Sequence, residues 1–287
     1  MKVWRVLVAI VVLALPACGS DDEGGQTGGD GTGTTTAGPE VAPPASVAEA
    51  GELVFCTAPP YPPVIFTEGD QVKGSDIDIG DAIAEKMGVQ AEWVTIGFEG
   101  FIAAVQGGTC DGYLGASTHT EERAQEVHFT DYVTVGRQYL VPAGNPLNIT
   151  SQEDFCGKDV SVLIGTTEEQ VLSDLSDSYC KPNGLDSIDV KTFNVDTDAG
   201  LALVQGKVDA YGSDSPGLTY YFNEYPDQFE YALPEAVDQA PWGIATRLDD
   251  TELHDSLQQA VDLMYEDGTM CSILQEWGLE DIALQPC

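Results

Sequence analysis

FIAAVQGGTCDGYLGAST at residues 101–118 and LALVQGKVDAYGSDSP at 201–216 repeat one plan roughly a hundred residues apart. Each runs from an apolar helical stretch through VQG and a short turn to an aspartate, then into a strand. An internal echo of this kind predicts two lobes built alike. Working outward, LVFCT (53–57) reads as a strand, and IDIGDAIAEKM (77–87) has apolar residues at helical spacing closed by Gly88. VQAEWVTI (89–96) is again strand-like. DVSVLIG then TTEEQVLSDL, DVKTFNV then DAGLALVQG, and VDAYGSD then PGLTYYFNEY repeat strand followed by helix. The alternation predicts an α/β fold with mainly parallel sheets, whose ligands bind beyond the carboxyl ends of strands.

The ends of the chain read differently. MKVWR supplies a positive start, VLVAIVVLAL (6–15) an apolar core too short to span a bilayer, and PAC follows. Residues 1–17 are expected to be a secretory signal, and Cys18 the lipid-modified residue of a lipobox. An ordinary signal peptide with Cys18 incidental is the alternative. Residues 19–48 are dominated by Gly, Thr, Asp and Pro, so 18–48 is expected to be a lipidated cysteine and flexible linker.

The chain carries 11 Lys plus Arg against 48 Asp plus Glu, a net charge of −37. Such a surface repels nucleic acid and anionic lipid, which argues against both as partners. Of the 7 cysteines, Cys18 aside, an even set remains, as disulfides in an exported chain require. Cys156–Cys180 and Cys271–Cys287 are the favoured pairs because each closes a modest local loop; Cys56–Cys110 follows by exclusion. No C-x-x-C pair and no histidine at metal-ligand spacing point to zinc, so neither a metal nor a cofactor is expected.

Several blocks carry a family likeness. GELVFCTAPPYPPVIF (51–66), GSDIDIGDAIAEKMG (74–88), GFEGFIAAVQGGTCDGYLGASTHTEERAQEVHFTDYV (97–133) and YEDGTMCSILQEWG (265–278) together resemble the extracellular solute-binding proteins, family 3, of polar amino-acid ABC importers. The resemblance implies a two-lobed type II periplasmic-binding fold, each lobe a mainly parallel sheet flanked by helices, joined by a two-strand hinge. Lobe 1 is expected over 51–141 and 242–287 and lobe 2 over 142–241, with crossovers near 138–144 and 238–243. It also implies a monomer at the cell surface or in the periplasm, held by a lipid anchor and delivering an amino acid or related zwitterion to a membrane permease. Ser75 departs from the pattern, standing where an aromatic or bulky aliphatic residue is usual.

Burying a zwitterion costs several kcal/mol per ion unless paired donors and acceptors replace its water. A guanidinium meets a carboxylate with two parallel hydrogen bonds, and helix N-termini add backbone donors. Arginine is scarce here: past residue 17 only Arg123, Arg137 and Arg247 remain. By resemblance, Thr118 and Arg123 hold the α-carboxylate, Ala116 offers its carbonyl to the ammonium, and Thr167 donates its backbone amide from the second lobe. Asp214 takes the ammonium, while Tyr61 and Phe98 cover the ligand. Trp242 lies at the second crossover. A bland reading of Arg123 pairs it with Glu122 or Asp131 on the surface, and Thr167 and Asp214 also suit ordinary caps. Ala58 stands where many relatives have an acid, and Val64 and Ile65 where many read Phe-Glu. Glu99 or Glu168 is then left to serve a cationic cargo.

No triad spacing involves His119, His128 or His254, and the chain is not expected to be an enzyme. The alternatives are a dehydratase-like enzyme on the same scaffold acting on a cyclic carboxylic acid, with Glu168 or Glu99 as acid, and an extracellular ligand sensor.

Overall fold

The computed structural model describes residues 38–287. The expected signal segment, Cys18 and most of the spacer lie outside the described residues. Strands in chain order are β1 (Glu52–Thr57), β2 (Phe66–Glu68), β3 (Gln71–Lys73), β4 (Gln90–Thr95), β5 (Gly112–Tyr113), β6 (Val127–Pro142), β7 (Asp159–Leu163), β8 (Asp189–Phe193), β9 (Ala210–Asp214), β10 (Phe229–Tyr231) and β11 (Val237–Arg247). Helices are α1 (Ala45–Ala50), α2 (Ser75–Lys86), α3 (Phe101–Gln106), α4 (Thr167–Leu175), α5 (Asp196–Val204), α6 (Ser215–Glu224), α7 (Thr251–Glu266) and α8 (Thr269–Glu276).

The echo between 101–118 and 201–216 is realised as two matching half-sheets. In lobe 1, β1 lies parallel between β4 and β5, and β11 closes the edge antiparallel to β5. In lobe 2, β7 lies parallel between β8 and β9, and β6 closes the edge antiparallel to β9. The long strands β6 and β11 pair antiparallel with each other and pass through both lobes, fusing the halves into one nine-stranded sheet.

Each lobe has its own core. Leu53, Phe55, Ile83 and Trp242 pack with Leu257, Met264 and Leu274 of α7 and α8 in lobe 1. Tyr139, Phe155, Val160, Val162 and Leu172 build the core of lobe 2. Core membership also locates the crossovers. Val135 belongs to the first core and Tyr139 to the second, so core membership changes within β6 over 136–138. On the return, Val237 packs with lobe 2 and Trp242 with lobe 1, across a register shift between Val237 and Ala240, and a second shift follows Trp242.

Helix α2 shows how the family-like signature shapes the fold. Gly74 precedes it at φ +130°, and a Cβ there would fall 2.1 Å from the Val64 carbonyl oxygen. Only glycine meets both demands. Asp76 and Asp78 occupy the first turn, favourable at the positive helix end.

One expectation is corrected. The flexible spacer was to run to residue 48, yet Val41 and Val47 are each only 4% exposed and belong to the lobe 1 core. The Glu40 and Val41 amides donate to the Lys86 carbonyl, and Ser256 Oγ donates to the Ala42 carbonyl. Two apolar side chains and these bonds give a Pro- and Ala-rich strap enough to pack. The packed chain therefore starts near 40.

Disulfides join Cys56–Cys110, Cys156–Cys180 and Cys271–Cys287. The last ties the C-terminal residue to α8 across a separation of 16 residues. Loop closure of that length contributes about 3 kcal/mol. Replacing Cys271 and Cys287 by serine should therefore lower the thermal midpoint by about 6–12 °C. A calorimetric scan with an unchanged midpoint would contradict this assignment.

Candidate functional site

The carboxyl ends of the parallel strands in both lobes point at one cavity. Beyond β1 come Ala58 and Tyr61; beyond β5 come Gly115, Ala116 and Thr118; beyond β7 come Leu163, Thr166, Thr167 and Glu168; and β9 ends in Gly212, Ser213 and Asp214. Phe98, Arg123 and Asp196 complete the wall. The cavity encloses about 470 Å³ counting its mouth.

Arg123 bridges the two lobes. Its Nη1 donates to the Thr118 carbonyl at 2.8 Å and its Nη2 to the Gly165 carbonyl of lobe 2 at 2.9 Å. The guanidinium lies 5.6 and 5.4 Å from the ring centres of Phe98 and Phe101. Among the described residues no carboxylate forms an ion pair with it, and Asp131 is bonded to His119 instead. The surface-pair reading of Arg123 therefore fails. Burial pulls its pKa below the ordinary arginine value, opposed by the charges of Glu168 and Asp214.

Behind Arg123, the segment 115–118 is held by a buried acid. Asp76 Oδ2 accepts the Ala116 amide and the Tyr132 hydroxyl, both at 2.9 Å. Ala116 adopts φ +55°, a left-handed conformation that a non-glycine residue holds only when its surroundings insist. Burial pushes Asp76 up to about 7, against the pull of these two donors. Asp76 is thus the part of the GSDID signature that shapes the site, although its neighbour Ser75 departs from the pattern.

Lobe 2 contributes the acids. Trp242 Nε1 donates to Asp214 Oδ2 at 2.9 Å. Burial first, and then the charge of Glu168, raises Asp214 to about 7, with Trp242, Arg137 and Arg123 opposing. The Tyr61 hydroxyl reaches across from lobe 1 to Ser213 Oγ at 3.2 Å and the Asp214 carbonyl at 3.4 Å. Helix α4 begins at the wall with Thr167 and Glu168, so its unpaired first-turn amides and positive end face the cavity.

All seven residues singled out for the ligand, Ala116, Thr118, Arg123, Tyr61, Phe98, Thr167 and Asp214, line this one cavity. Trp242 stands behind it, bonded to Asp214 and edge-on to the Tyr61 ring. Glu99 is exposed and takes no part in the lining, whereas Glu168 is buried within it. Sequence reasoning missed Asp196, which no motif singled out, and Arg137, whose Nε lies 3.4 Å from Glu168 Oε1. Only scarcity marked Arg137 in the sequence. Among the described residues no group of three His, Cys, Asp or Glu side chains is placed to hold a metal ion.

A family profile described as bacterial extracellular solute-binding proteins, family 3, matches residues 53–280. The chain belongs to that family. Among these solute-binding proteins, the L-arginine-binding protein of Pseudomonas aeruginosa is 31% identical over 230 residues, covering 77% of this chain and 86% of the relative. The arginine-binding extracellular protein of Bacillus subtilis is 27% identical over 282 residues, covering 96% and 98%. In three dimensions, an ancestral arginine-binding protein bound to arginine aligns with a TM-score of 0.71 at 33% identity, over 79% of this chain and 98% of that one. These likenesses agree with the two-lobed architecture described above.

A contact between the lobes of this solute-binding protein can be tested directly. A Cβ on Gly217 of α6 would lie 2.4 Å from the Tyr61 ring, which Trp242 and Ser213 hold in place. Gly217→Ala should therefore obstruct full closure at a cost of about 1–3 kcal/mol, with ligand affinity reduced accordingly. Solution scattering should show a more open ligand-bound form, and a variant closing like the parent would contradict the contact's role.

Proposed function

We propose that the chain is the substrate-binding component of an ABC importer, which captures an amino acid between its lobes by hinge closure and delivers it to a membrane permease. In this reading the protein is exported, Cys18 carries a lipid anchor, and the strap at 40–50 attaches lobe 1 to the tether. Among the described residues no helix is long and apolar enough to cross a membrane, so membrane association rests on that anchor and on the permease. Relatives named as arginine-binding proteins support an amino-acid cargo.

The observation that carries the reading is that Arg123 from lobe 1 and Asp214 from lobe 2 line one cavity. A guanidinium has five N–H donors. Two of those on Arg123 go to protein carbonyls, which leaves three for an α-carboxylate. Thr118 and the first-turn amide of Thr167 add donors. Asp214 and the Ala116 carbonyl take the ammonium, while the Tyr61 and Phe98 rings exclude water. Because each lobe supplies part of the ligand's coordination, the ligand binds the closed form better than the open one and shifts the equilibrium toward it.

Two tests follow from these roles. Arg123→Ala leaves a desolvated carboxylate without its partner, at a cost of about 3–5 kcal/mol, so calorimetry should find binding lost. Unchanged affinity in that variant would refute the site. The second test is pH. Asp214 must be ionised to hold an ammonium, yet its pKa in the folded protein is raised to about 7. Below that value the empty site carries a proton that the ligand must displace. Affinity is therefore full above pH 7 and falls by up to about tenfold per pH unit below it. Titrations at pH 8, 7 and 6 should show the fall, with proton release on binding; a flat profile would remove the ammonium from Asp214.

A further inference from the structure

The cavity holds more negative charge than a zwitterion uses. Glu168, Asp196 and Asp214 line it against a single lining guanidinium, Arg123. In the binding mode above, Arg123 neutralises the α-carboxylate and Asp214 the α-ammonium. Glu168 and Asp196 remain, and at 4% and 5% exposed neither is a solvated surface charge.

Their partners in the protein are weak. Glu168 has the Thr167 hydroxyl 3.4 Å from each carboxylate oxygen, and Arg137 Nε at 3.4 Å. Charge-assisted bonds to a buried carboxylate normally run about 2.7–2.9 Å. Arg137 is engaged elsewhere, its Nη1 donating to Asp238 at 2.6 Å, and its buried Nε makes no hydrogen bond. Asp196 accepts the Tyr211 hydroxyl at 2.7 Å on each oxygen, a neutral donor that offsets only part of the burial cost. On the lobe 1 side, Ala58, Tyr61 and Phe98 offer a small methyl and two rings, with no acid.

Resting on the reading of the cavity as an amino-acid site, we propose that the cargo carries a cationic side chain, met from lobe 2 by Glu168 and Asp196. The charge that this chain lacks at Ala58 is supplied from the opposite wall. A guanidinium or ammonium there replaces the long contacts of Glu168 with short ones, and the flanking rings favour a cation over a neutral amide. The competing way to neutralise the cavity is protonation, since burial raises Asp196 to about 7, and a protonated acid suits a neutral cargo.

Calorimetric titration of the purified protein at pH 8 separates the two. The probes are L-arginine against its uncharged isostere L-citrulline, and L-ornithine against L-norvaline. In at least one pair the cation should bind about 100-fold more tightly than its neutral partner. Glu168→Gln should cut that ratio to below about tenfold, and Asp196→Asn should reduce it as well. Equal binding within both pairs, or a ratio that Glu168→Gln leaves intact in a variant melting like the parent, overturns the proposal. The parental ratio decides on its own should neither variant fold. Silence toward all four probes and toward every other amino acid would instead overturn the amino-acid reading itself.

Discussion

A guanidinium enclosed between two lobes of a strongly acidic protein sets the terms for the rest of the structure. Removing Arg123 from water costs several kcal/mol unless oxygen acceptors replace that water from every side. One lobe cannot supply them all. Thr118 gives a carbonyl from lobe 1, Gly165 gives another from lobe 2, and two aromatic rings cover the faces. The ends of β5 and β7 meet at this half-buried guanidinium, on the wall of the cavity between the lobes.

The architecture supports that meeting with parts that are rigid singly and joined sparingly. Each lobe has a separate core, and disulfides stay within lobes: Cys56–Cys110 and Cys271–Cys287 in the first, Cys156–Cys180 in the second. Among the described residues, only β6 and β11 run between them, with register shifts where β11 crosses. Two stiff bodies on two strands form the arrangement that hinge closure requires. The buried Asp76 has a complementary task. It holds Ala116 in its left-handed conformation, so the cavity-facing segment is already shaped. Preorganisation of this kind reduces the ordering cost of binding.

Much of this was legible in the sequence because it rests on local pattern. The VQG-turn-Asp echo gave the duplicated half-sheets, and apolar periodicity with terminal glycines located α2 and α3. The site residues came from the family resemblance: a run beyond one strand end, 116–123, plus single positions at four other strand ends. What escaped depends on packing that no local pattern encodes. Val41 and Val47 lie in a stretch whose composition suggests a free tether, yet two buried side chains suffice to pin it. The crossover point is hidden in the sequence because β6 is one unbroken strand of 16 residues, and only core membership shows where it passes between cores. Asp196 carries no motif of its own and becomes a cavity wall only when α5 folds against β7 and β9.

Net charge fits the same picture from outside. With 48 acidic residues in the chain, carboxylates alone mark nothing; their burial beside scarce arginines does. The most direct test of the central claim is titration calorimetry of the purified protein against the twenty amino acids, with each mixture analysed for products. Saturation by an amino acid at one site per chain, with that amino acid recovered unchanged, is the predicted result. Silence across all twenty, or conversion of a bound acid to product, would contradict the account and give Arg123 a different carboxylate to hold.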